Sequence, residues 1–449
     1  MVHPDWVLKH KLPNTEIRCI RGHYYLYSIT SIWSPEKGRN KKVTLKSLGV
    51  ITQEYGLIPS GMSRRGKVPV GQSKLKVNEP VETNFNDFFG KIEDPRSPRN
   101  QLYSIAEILL VTFFAVICGA EGWADLENYG KSKLAYLQKF YDFKNGIPSD
   151  DTFRRFFRSL DPEPFKLIFH KWVQSLALAV GVKVIAIDGK ASRRSYDGDE
   201  PMLHTVSAFA TEARIVLGQE KVSEKSNEIT AIPKLLALLD IKDKIITIDA
   251  MGCQYAIANQ IVEKGGDYIL SLKGNQGNLS DDVDLYMKDV ANLDKQASLY
   301  TDTDKGHGRI ETRTCVVSHN VEWLRGRHPK WHTIQSVIQI CSTREDSKTV
   351  TTEIRTYISS LKPSPKEALM AIRNHWGIES FHWVLDMSFN EDYSRIRKGN
   401  APQVMAIIRH AAFNLLQHNK LKAKSIKGMR KMCGWDNDLL DQLIAKQKS

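Results

Sequence analysis

The chain has 449 residues, of which 41% are hydrophobic and 26% are charged, a composition typical of a soluble globular protein with two or three domains. Lysine and arginine (64) outnumber aspartate and glutamate (51), giving a net charge of +13, which favours nucleic acid, or alternatively an acidic membrane surface, as the partner. The six cysteines form no Cys-x-x-Cys pair, which argues against a zinc ribbon or a disulfide framework.

The N-terminus lacks the charged and apolar blocks of a signal peptide, and the most apolar run, at 108–120, is too short to span a bilayer. We therefore expect a cytoplasmic protein with no membrane partner. Scattered cysteines agree with a reducing compartment.

Residues 1–57 predict a small β-rich basic module. An aromatic strand at 21–28, a basic turn at 35–40 and an alternating strand at 42–46 indicate a hairpin. This hairpin could lie on a phosphate backbone, although a solvated hairpin with lysine at its edge explains the pattern equally well. The segment 58–83 collects Pro, Gly, Ser, Lys and Arg without apolar periodicity, which predicts a basic linker.

Residues 84–180 predict an α-helical domain that is a candidate for DNA binding. Apolar periodicity indicates helices at 104–118 and 123–140, and Ser149 or Asp150 can cap a third helix. The third helix contains three arginines and a threonine that could contact phosphates, but a solvated face is the preferred interpretation. These residues are Thr152, Arg154, Arg155 and Arg158.

Two short apolar runs, at 184–187 and 245–248, each end in an aspartate, Asp188 and Asp249. Runs rich in β-branched residues predict buried strands. Because both strands end in an acid, we expect the two carboxylates to converge at one edge of a sheet.

The region 181–304 around these strands predicts the first part of a catalytic core. A hairpin at 203–222, helices at 227–239 and 254–263, and a strand at 268–272 indicate a mixed sheet with helices on its faces. Residues 305–360 return to β periodicity and predict a β-rich insertion. The core then resumes at 361–418, and 419–449 predicts a basic C-terminal helical tail.

A helix is expected to open at Ser364, because Pro365 suits its first turn and Glu367 completes a capping box. This helix contains Glu379 and Asp386, which lie two turns apart on one face. Histidines and tryptophans flank Glu379 on that face, at His375, Trp376, His382 and Trp383.

Oxygen ligands from few carboxylates suit Mg²⁺ or Mn²⁺, and two such ions catalyse phosphodiester chemistry. Asp188, Asp249 and one helical acid would supply these ligands, and the aromatic side chains could stack on unpaired bases. An alternative interpretation places the tryptophans in the core and the acids in structural salt bridges. A zinc site is less favoured, because His375 and Glu379 lack a clear third ligand.

Several long motifs, in order along 85–418, resemble bacterial insertion-sequence transposases of the H-repeat-associated group, within the DDE transposases of RNase H-like fold. The motifs lie at 88–96, 119–123, 146–149, 186–190, 224–233, 247–254, 273–276, 375–379, 382–386 and 391–397. Residues 1–60 more weakly resemble the N-terminal module of other insertion-sequence transposases, through His3-Pro4, Trp6-Val7 and the run 48–52.

The resemblance implies an α/β fold with an RNase H-like mixed sheet flanked by helices. It also implies that the protein is a cut-and-paste DNA transposase that uses Mg²⁺, with Mn²⁺ as a substitute. Its DDE triad falls on Asp188, Asp249 and Glu379 as catalytic and metal-binding residues, with Asp386 as a further candidate ligand. The expected partners are double-stranded DNA, at the element's terminal repeats and at the target, and a second copy in a DNA-bound homodimer, acting at the bacterial nucleoid. The expected DNA contacts are Lys190, Arg193, Arg194, Lys273, Asn275, Gln276, His375, Arg395 and Arg397.

Hairpin-forming relatives have Tyr, Arg and Lys at positions occupied here by Ile372, His375 and Asp386. Asp386 cannot replace a lysine, so whether a DNA hairpin forms stays open. Two other functions also stay open: an inactive or domesticated DNA-binding protein descended from a transposase, and a stand-alone metal-dependent nuclease.

Overall fold

A computed structural model describes residues 4–11, 15–20, 23–34, 39–52, 56–59, 92–97, 99, 101–196, 198, 201–223, 227–292, 298–306, 308–346, 349–419 and 425–445. Contacts divide the chain into two units, Met1–Lys76 and Val77–Ser449. The second unit holds the predicted helical domain, catalytic core and insertion in one body. Nearly all of the predicted linker at 58–83 lies outside the described residues.

The first unit is β-rich, as predicted. After a short helix α1 (Asp5–Leu8), strands β1 (Thr15–Ile20), β2 (His23–Ser34), β3 (Arg39–Thr52) and β4 (Gly56–Pro59) form an antiparallel sheet in chain order. Val7, Ile17, Leu26 and Ile51 form a small core. Most of the predicted basic turn between β2 and β3 lies outside the described residues.

The second unit begins with helices α2 (Ile105–Ile117), α3 (Trp123–Ser132), α4 (Leu134–Leu137), α5 (Asp150–Ser159) and α6 (Pro162–Val180). Ser104 starts α2 through a capping box, since its hydroxyl accepts from the Glu107 amide while Glu107 accepts from the Ser104 amide. Every residue from 108 to 117 is buried, so α2 is surrounded by the helices that follow it.

Among the described residues, nine strands form the main sheet, in the order β10-β11-β12-β13-β9-β8-β5-β6-β7. The strands are β5 (Val184–Ala191), β6 (His204–Ala210), β7 (Ile215–Lys221), β8 (Ile245–Ile248), β9 (Asp267–Leu272), β10 (Ser298–Gly306), β11 (Arg309–Ser318), β12 (Ser336–Glu345) and β13 (Val350–Ser359). β5, β8 and β9 are parallel neighbours, whereas the other pairs are antiparallel. This is the mixed sheet that the sequence predicts.

The remaining helices are α7 (Glu228–Leu238), α8 (Tyr255–Glu263), α9 (Asn278–Asn292), α10 (Glu322–Arg327), α11 (Pro365–Phe389), α12 (Ala401–His418), α13 (Ile426–Trp435) and α14 (Asn437–Ala445). The capping box predicted for α11 is present, with hydrogen bonds between Ser364 and Glu367. The helix packs on the sheet, where Phe381 stacks on Phe209 with ring centroids 5.5 Å apart. In the described part of the chain, no helix has the length and apolarity needed to cross a membrane.

The predicted β insertion is a continuation of the main sheet, because β13 pairs with β9 through four residue pairs from Thr356↔Leu272 to Ser359↔Ile269. It also begins earlier than predicted, since β10 starts at Ser298. Polar residues make up most of β10, so it shows no apolar alternation from which a strand could be predicted.

The region predicted as a basic helical tail contains the helices α13 and α14. Met429, Cys433, Leu440 and Leu443 recur at helical spacing and are buried in the main core. Arg430 is 4% exposed. The apolar stripe of α13 and α14 therefore docks both helices on the body of the second unit, whereas Lys420, Lys422 and Lys424 lie outside the described residues.

Candidate active site

Asp188 and Asp249 lie at the same edge of the sheet. Strands β5 and β8 are parallel neighbours in which Ile187 pairs with Ile248, and each aspartate follows its isoleucine directly. The expected juxtaposition of two acids at adjacent strand ends is therefore present, and it follows from the parallel register alone.

The Asp249 carboxylate is fixed by the turn that follows it. Its Oδ1 accepts hydrogen bonds from the amides of Met251 (3.1 Å) and Gly252 (3.3 Å). Burial raises the pKa of Asp249, and the charge of Glu228 adds to that effect. The backbone thus orients one carboxylate oxygen before any ligand binds.

Asp188 is surrounded by like charges. Burial, together with the charges of the Asp249, Glu228 and Glu379 carboxylates, raises the pKa of Asp188 to about 7, although the hydrogen bond from the Gly189 amide acts to lower it. A buried carboxylate beside other carboxylates is stabilised either by a proton or by a nearby cation. This edge of the sheet therefore favours a bound cation.

Glu379 projects from α11 toward the same edge, as its effect on Asp188 indicates. Burial raises the pKa of Glu379, and Arg355 opposes that rise. The Arg355 guanidinium also lies over the Trp376 ring, 4.8 Å from its centroid. Acids from β5, β8 and α11 thus face the same edge of the sheet.

Two histidines connect α11 to the strands. His375 Nδ1 lies 2.9 Å from the Thr247 hydroxyl, and His382 Nδ1 lies 3.6 Å from Asp188 Oδ2. Burial lowers the pKa of His375 to about 4 and that of His382 to about 3, so both rings are neutral near pH 7. His375 is therefore a poor phosphate contact and instead braces the helix against β8.

Both tryptophans of α11 are exposed, Trp376 by 43% and Trp383 by 62%. The alternative interpretation that placed them in the core is wrong. Since they flank Glu379 by three and four positions, they present aromatic surface to solvent beside that carboxylate.

Lys190 lies in a buried ion cluster. Its ammonium is 2.6 Å from Asp386, 3.1 Å from Asp392 and 3.8 Å from Glu391, and its side chain is 9% exposed. The contact between Lys190 and Asp386 is an ion pair. This placement gives Lys190 and Asp386 a structural role in tying β5 to the end of α11.

The other predicted DNA contacts fall into two groups. Arg193, Arg194, Lys273 and Arg395 are exposed, and Arg397 is half-buried. Asn275 and Gln276 instead donate hydrogen bonds to the carbonyls of Ala250 (2.7 Å) and Cys253 (2.6 Å), and so hold the loop after Asp249. On α5, Arg154 and Arg155 both pair with Asp151, in agreement with a solvated face.

A groove with a volume of about 530 Å³ lies between the insertion strands and α11. Its lining includes five arginines and Trp376; the arginines are Arg309, Arg313, Arg344, Arg355 and Arg373. Sequence reasoning missed this surface because the arginines are spread over four separate elements that only the folded sheet brings together.

Glu228 is a further acid that sequence reasoning missed. It is the first residue of α7, after the cap residue Asn227, and it lies close enough to Asp188 and Asp249 to act on both. The only sequence signal was an acid next to a helix cap, which normally marks a helix dipole contact.

The donor set suits a hard divalent cation, because Asp188, Asp249, Glu228 and Glu379 all offer carboxylate oxygens. Among the described residues, no group of three or more His, Cys, Asp or Glu side chains is already arranged to hold a metal ion. The acids therefore lie close enough to affect the pKa of Asp188, but their side chains are not yet arranged as metal ligands.

Comparison with known proteins identifies the family. The family model described as "Transposase DDE domain" matches residues 172–415, which is more than half of the chain. This chain belongs to the DDE transposase family. A second model, "DDE_Tnp_1-associated", matches residues 86–173. The strand order and the family match together confirm the predicted RNase H-like fold.

Three relatives match between 14% and 79% of the chain. YhhI, an H repeat-associated protein of Escherichia coli (strain K12), is 39% identical over 363 residues, which are 79% of this chain and 96% of YhhI. A protein from the dhlA 3′ region of Xanthobacter autotrophicus is 41% identical over 285 residues, which are 63% of this chain and 96% of that protein. The "Inactive transposase YbfQ" of E. coli K12 is 45% identical over 62 residues, 14% of this chain and 74% of YbfQ.

A solved structure, the piggyBac transposase synaptic complex with hairpin DNA, aligns with a TM-score of 0.38 and 10% identity. The alignment covers 81% of this chain and 80% of that one. Both family models begin after residue 85, so the origin of the N-terminal module stays a prediction.

Proposed function

We propose that this DDE transposase moves an insertion sequence by cut-and-paste, with Asp188, Asp249 and Glu379 as its catalytic acids. The observation that best supports the proposal is the parallel pairing of Ile187 with Ile248, which puts Asp188 and Asp249 at one edge of the sheet. Asp249 and Glu379 both act to raise the pKa of Asp188 at that edge. The imidazole of His382 lies 3.6 Å from Asp188, but burial lowers the pKa of His382 to about 3, so the ring does not neutralise that carboxylate near pH 7.

The reaction is a pair of phosphodiester exchanges. In the first, a water oxygen bonds to phosphorus at an element end, the bond to the 3′-oxygen breaks, and a 3′-hydroxyl is released. In the second, that hydroxyl attacks a phosphodiester of the target, and the target's 3′-oxygen leaves. Mg²⁺, or Mn²⁺ in its place, would be held by Asp188, Asp249 and Glu379, and would stabilise charge on the attacking and leaving oxygens.

The residues of the chain orient these acids. Backbone amides fix Asp249, and the His375–Thr247 hydrogen bond holds α11 at β8. The Lys190 cluster joins β5 to the end of α11. Because these contacts hold the acids in place before the substrate binds, the acids can position a reacting phosphate.

Double-stranded DNA is the proposed substrate, at both the element ends and the target. The exposed cations Arg193, Arg194, Lys273 and Arg395, together with the arginine-lined groove, offer a phosphate-binding surface. Two ends must be cut and joined together, so we propose a DNA-bound homodimer acting at the bacterial nucleoid.

The proposal can be tested on a plasmid that carries this gene with its native flanking DNA, so that the element ends are present. With Mg²⁺, the wild-type protein should release the element, and Asp249→Asn should abolish cleavage while retaining DNA binding in a gel-shift assay. Full cleavage by Asp249→Asn would contradict the assignment.

The two alternatives give different results in the same system. A stand-alone nuclease would cleave but would not join a pre-cut end bearing a 3′-hydroxyl to a target plasmid. An inactive DNA-binding protein would shift the DNA without cleaving it under any metal condition.

A further inference from the structure

Glu228 is the first residue of α7 and lies next to Gly189 of β5. The Asn227 side chain accepts a hydrogen bond from the Ile229 amide at 3.1 Å, which sets the start of α7. Glu228 is 9% exposed, and its Oε1 lies 2.9 Å from His204 Nε2. The proposed catalytic mechanism does not use this buried acid.

The Glu228 carboxylate occupies the space that a side chain at position 189 would fill. A Cβ placed on Gly189 would lie closer than 3.0 Å to three atoms of that carboxyl group, a separation that real Cβ atoms essentially never show. Gly189 is not among the glycines with positive φ, so the backbone conformation does not require glycine here. The glycine instead lets the carboxylate approach the backbone next to Asp188.

The carboxylate is close enough to affect both strand-end acids. It raises the pKa of Asp188 and that of Asp249, in each case in addition to burial. The groups facing these acids include the neutral ring of His382, the half-exposed ring of His204 and, near Asp249, the exposed Lys273. Glu228 is buried, and Asp188 and Asp249 are half-buried. The three carboxylates therefore concentrate negative charge beside the ends of β5 and β8, which a divalent cation would neutralise.

We infer that Glu228 is a fourth acidic residue of the divalent-cation site, acting together with Asp188 and Asp249. The inference rests on the proposed function, since it assigns Glu228 to the same site. Gly189 is then a positioning residue, because its missing side chain gives the Glu228 carboxylate its place.

The test is a Mn²⁺ titration of the full-length protein without DNA, read by the loss of the free-ion signal in electron paramagnetic resonance. Glu228→Gln removes the charge and keeps the shape, and it should weaken Mn²⁺ binding about 10-fold or more, the size of effect seen for groups that support metal ligands. Gly189→Ala removes no carboxylate but places a methyl group where the Glu228 carboxyl lies, and it should weaken binding in the same direction. Glu322→Gln is the matched control, because Glu322 is also a first-turn acid but is exposed, in α10.

Asp249→Asn separates the inference from the proposal beneath it. If Asp249→Asn weakens Mn²⁺ binding while folded Glu228→Gln and Gly189→Ala bind as wild type does, the role of Glu228 is overturned and the proposed site stands. If Asp249→Asn also binds as wild type does, the proposed site itself fails. Circular dichroism and thermal melting establish that each variant is folded.

Discussion

The Thr247 hydroxyl lies 2.9 Å from Nδ1 of His375, and this contact joins the strand that precedes Asp249 to the helix that contains Glu379. Thr247 is 3% exposed, and burial keeps the imidazole neutral near pH 7. The two residues therefore set the distance between two acids that come from separate elements.

Replacing Thr247 with Val should slow element-end cleavage about 10- to 100-fold, because a small misplacement of a catalytic group has effects of that size. His375→Ala should act in the same direction. Gel-shift affinity for the same DNA should stay unchanged, since neither residue is proposed to bind phosphate. Wild-type cleavage rates in both variants would contradict a positioning role.

The Lys190 cluster gives a prediction about stability. Burial acts to lower the pKa of Lys190, but Glu391 and Asp386 outweigh it and raise that pKa. Lys190→Met leaves three acids without their shared cation, so the free energy of unfolding should fall by about 3–5 kcal/mol. Urea titration followed by circular dichroism measures the change.

The matched control is Arg193→Ala. Arg193 also contacts Asp392, at 3.5 Å, but its side chain is 81% exposed, so its loss should change stability by about 0.5 kcal/mol or less. The double variant Lys190→Met/Asp386→Asn should lose less free energy of unfolding than the two single variants lose together. Once Lys190 is gone, removing the Asp386 charge also removes an unpaired, half-buried acid. Strict additivity would show that the ion pair is not coupled.

Arg430 holds the ends of two helices. Its guanidinium donates hydrogen bonds to the carbonyl of Val116 at the end of α2 and to that of Ser388 at the end of α11. Arg430→Met should lower the free energy of unfolding by about 3 kcal/mol or more, because charged hydrogen bonds to buried carbonyls are lost.

Arg430→Lys should restore only part of this stability, since a single ammonium cannot reproduce the planar fork of donors. Lys431→Ala, at the exposed neighbouring position, serves as the control. If Arg430→Met and Lys431→Ala had equal free energies of unfolding, Arg430 would not be holding the ends of α2 and α11.

The Asp94–Arg96 pair predicts a pH dependence. Burial acts to raise the pKa of Asp94, but hydrogen bonds from Arg96, at 2.9 and 2.6 Å, and its charge outweigh burial and lower that pKa below 3.8. A lowered folded-state pKa means that the stabilisation is present above the unfolded-state pKa and is lost as the pH falls through the folded-state pKa.

Asp94→Asn should therefore lower the free energy of unfolding by about 1–3 kcal/mol at pH 7. The difference from wild type should shrink as the pH falls below 3.8. Denaturant titrations at several pH values measure it. A difference that does not vary with pH would show that the ionised carboxylate contributes nothing.

DNA binding should depend steeply on salt, because phosphate contacts release counterions. Replacing the groove arginines Arg309 and Arg344 with Ala should reduce the slope of log affinity against log salt by about 2, one for each lost contact. Arg154→Ala, on a helix that contributes no residue to the groove lining, should leave the slope unchanged. A flat salt dependence of the wild-type protein would exclude a phosphate-dominated interface.

The sequence was sufficient to predict features that depend on local pattern. Strands that end in Asp188 and Asp249 follow from β-branched runs, and the start of the Glu379 helix follows from its capping box. Features that depend on distant packing could not be predicted. The Lys190 partner Asp392 lies 202 residues away, and the position of Glu228 depends on how α7 crosses the strands above Gly189.

Burial also changed the interpretation of single residues. The sequence does not show whether His375 is exposed or buried. In the fold the ring is buried, which keeps it neutral near pH 7, and it contacts the Thr247 hydroxyl. The tryptophans beside Glu379 are exposed, which agrees with the interpretation that they could stack on unpaired bases and contradicts the alternative of a core position.

The four residue pairs between β13 and β9 have a mechanical consequence. A hinge movement of the insertion relative to the catalytic edge would break that backbone ladder, so the two cannot move as separate rigid bodies while the sheet is intact. An adjustment of the insertion to bound DNA would therefore reach the catalytic edge as a change of twist across β13, β9 and β8. Strain applied to the arginine-lined groove by a bent duplex would then be felt at Asp249, one strand beyond β9.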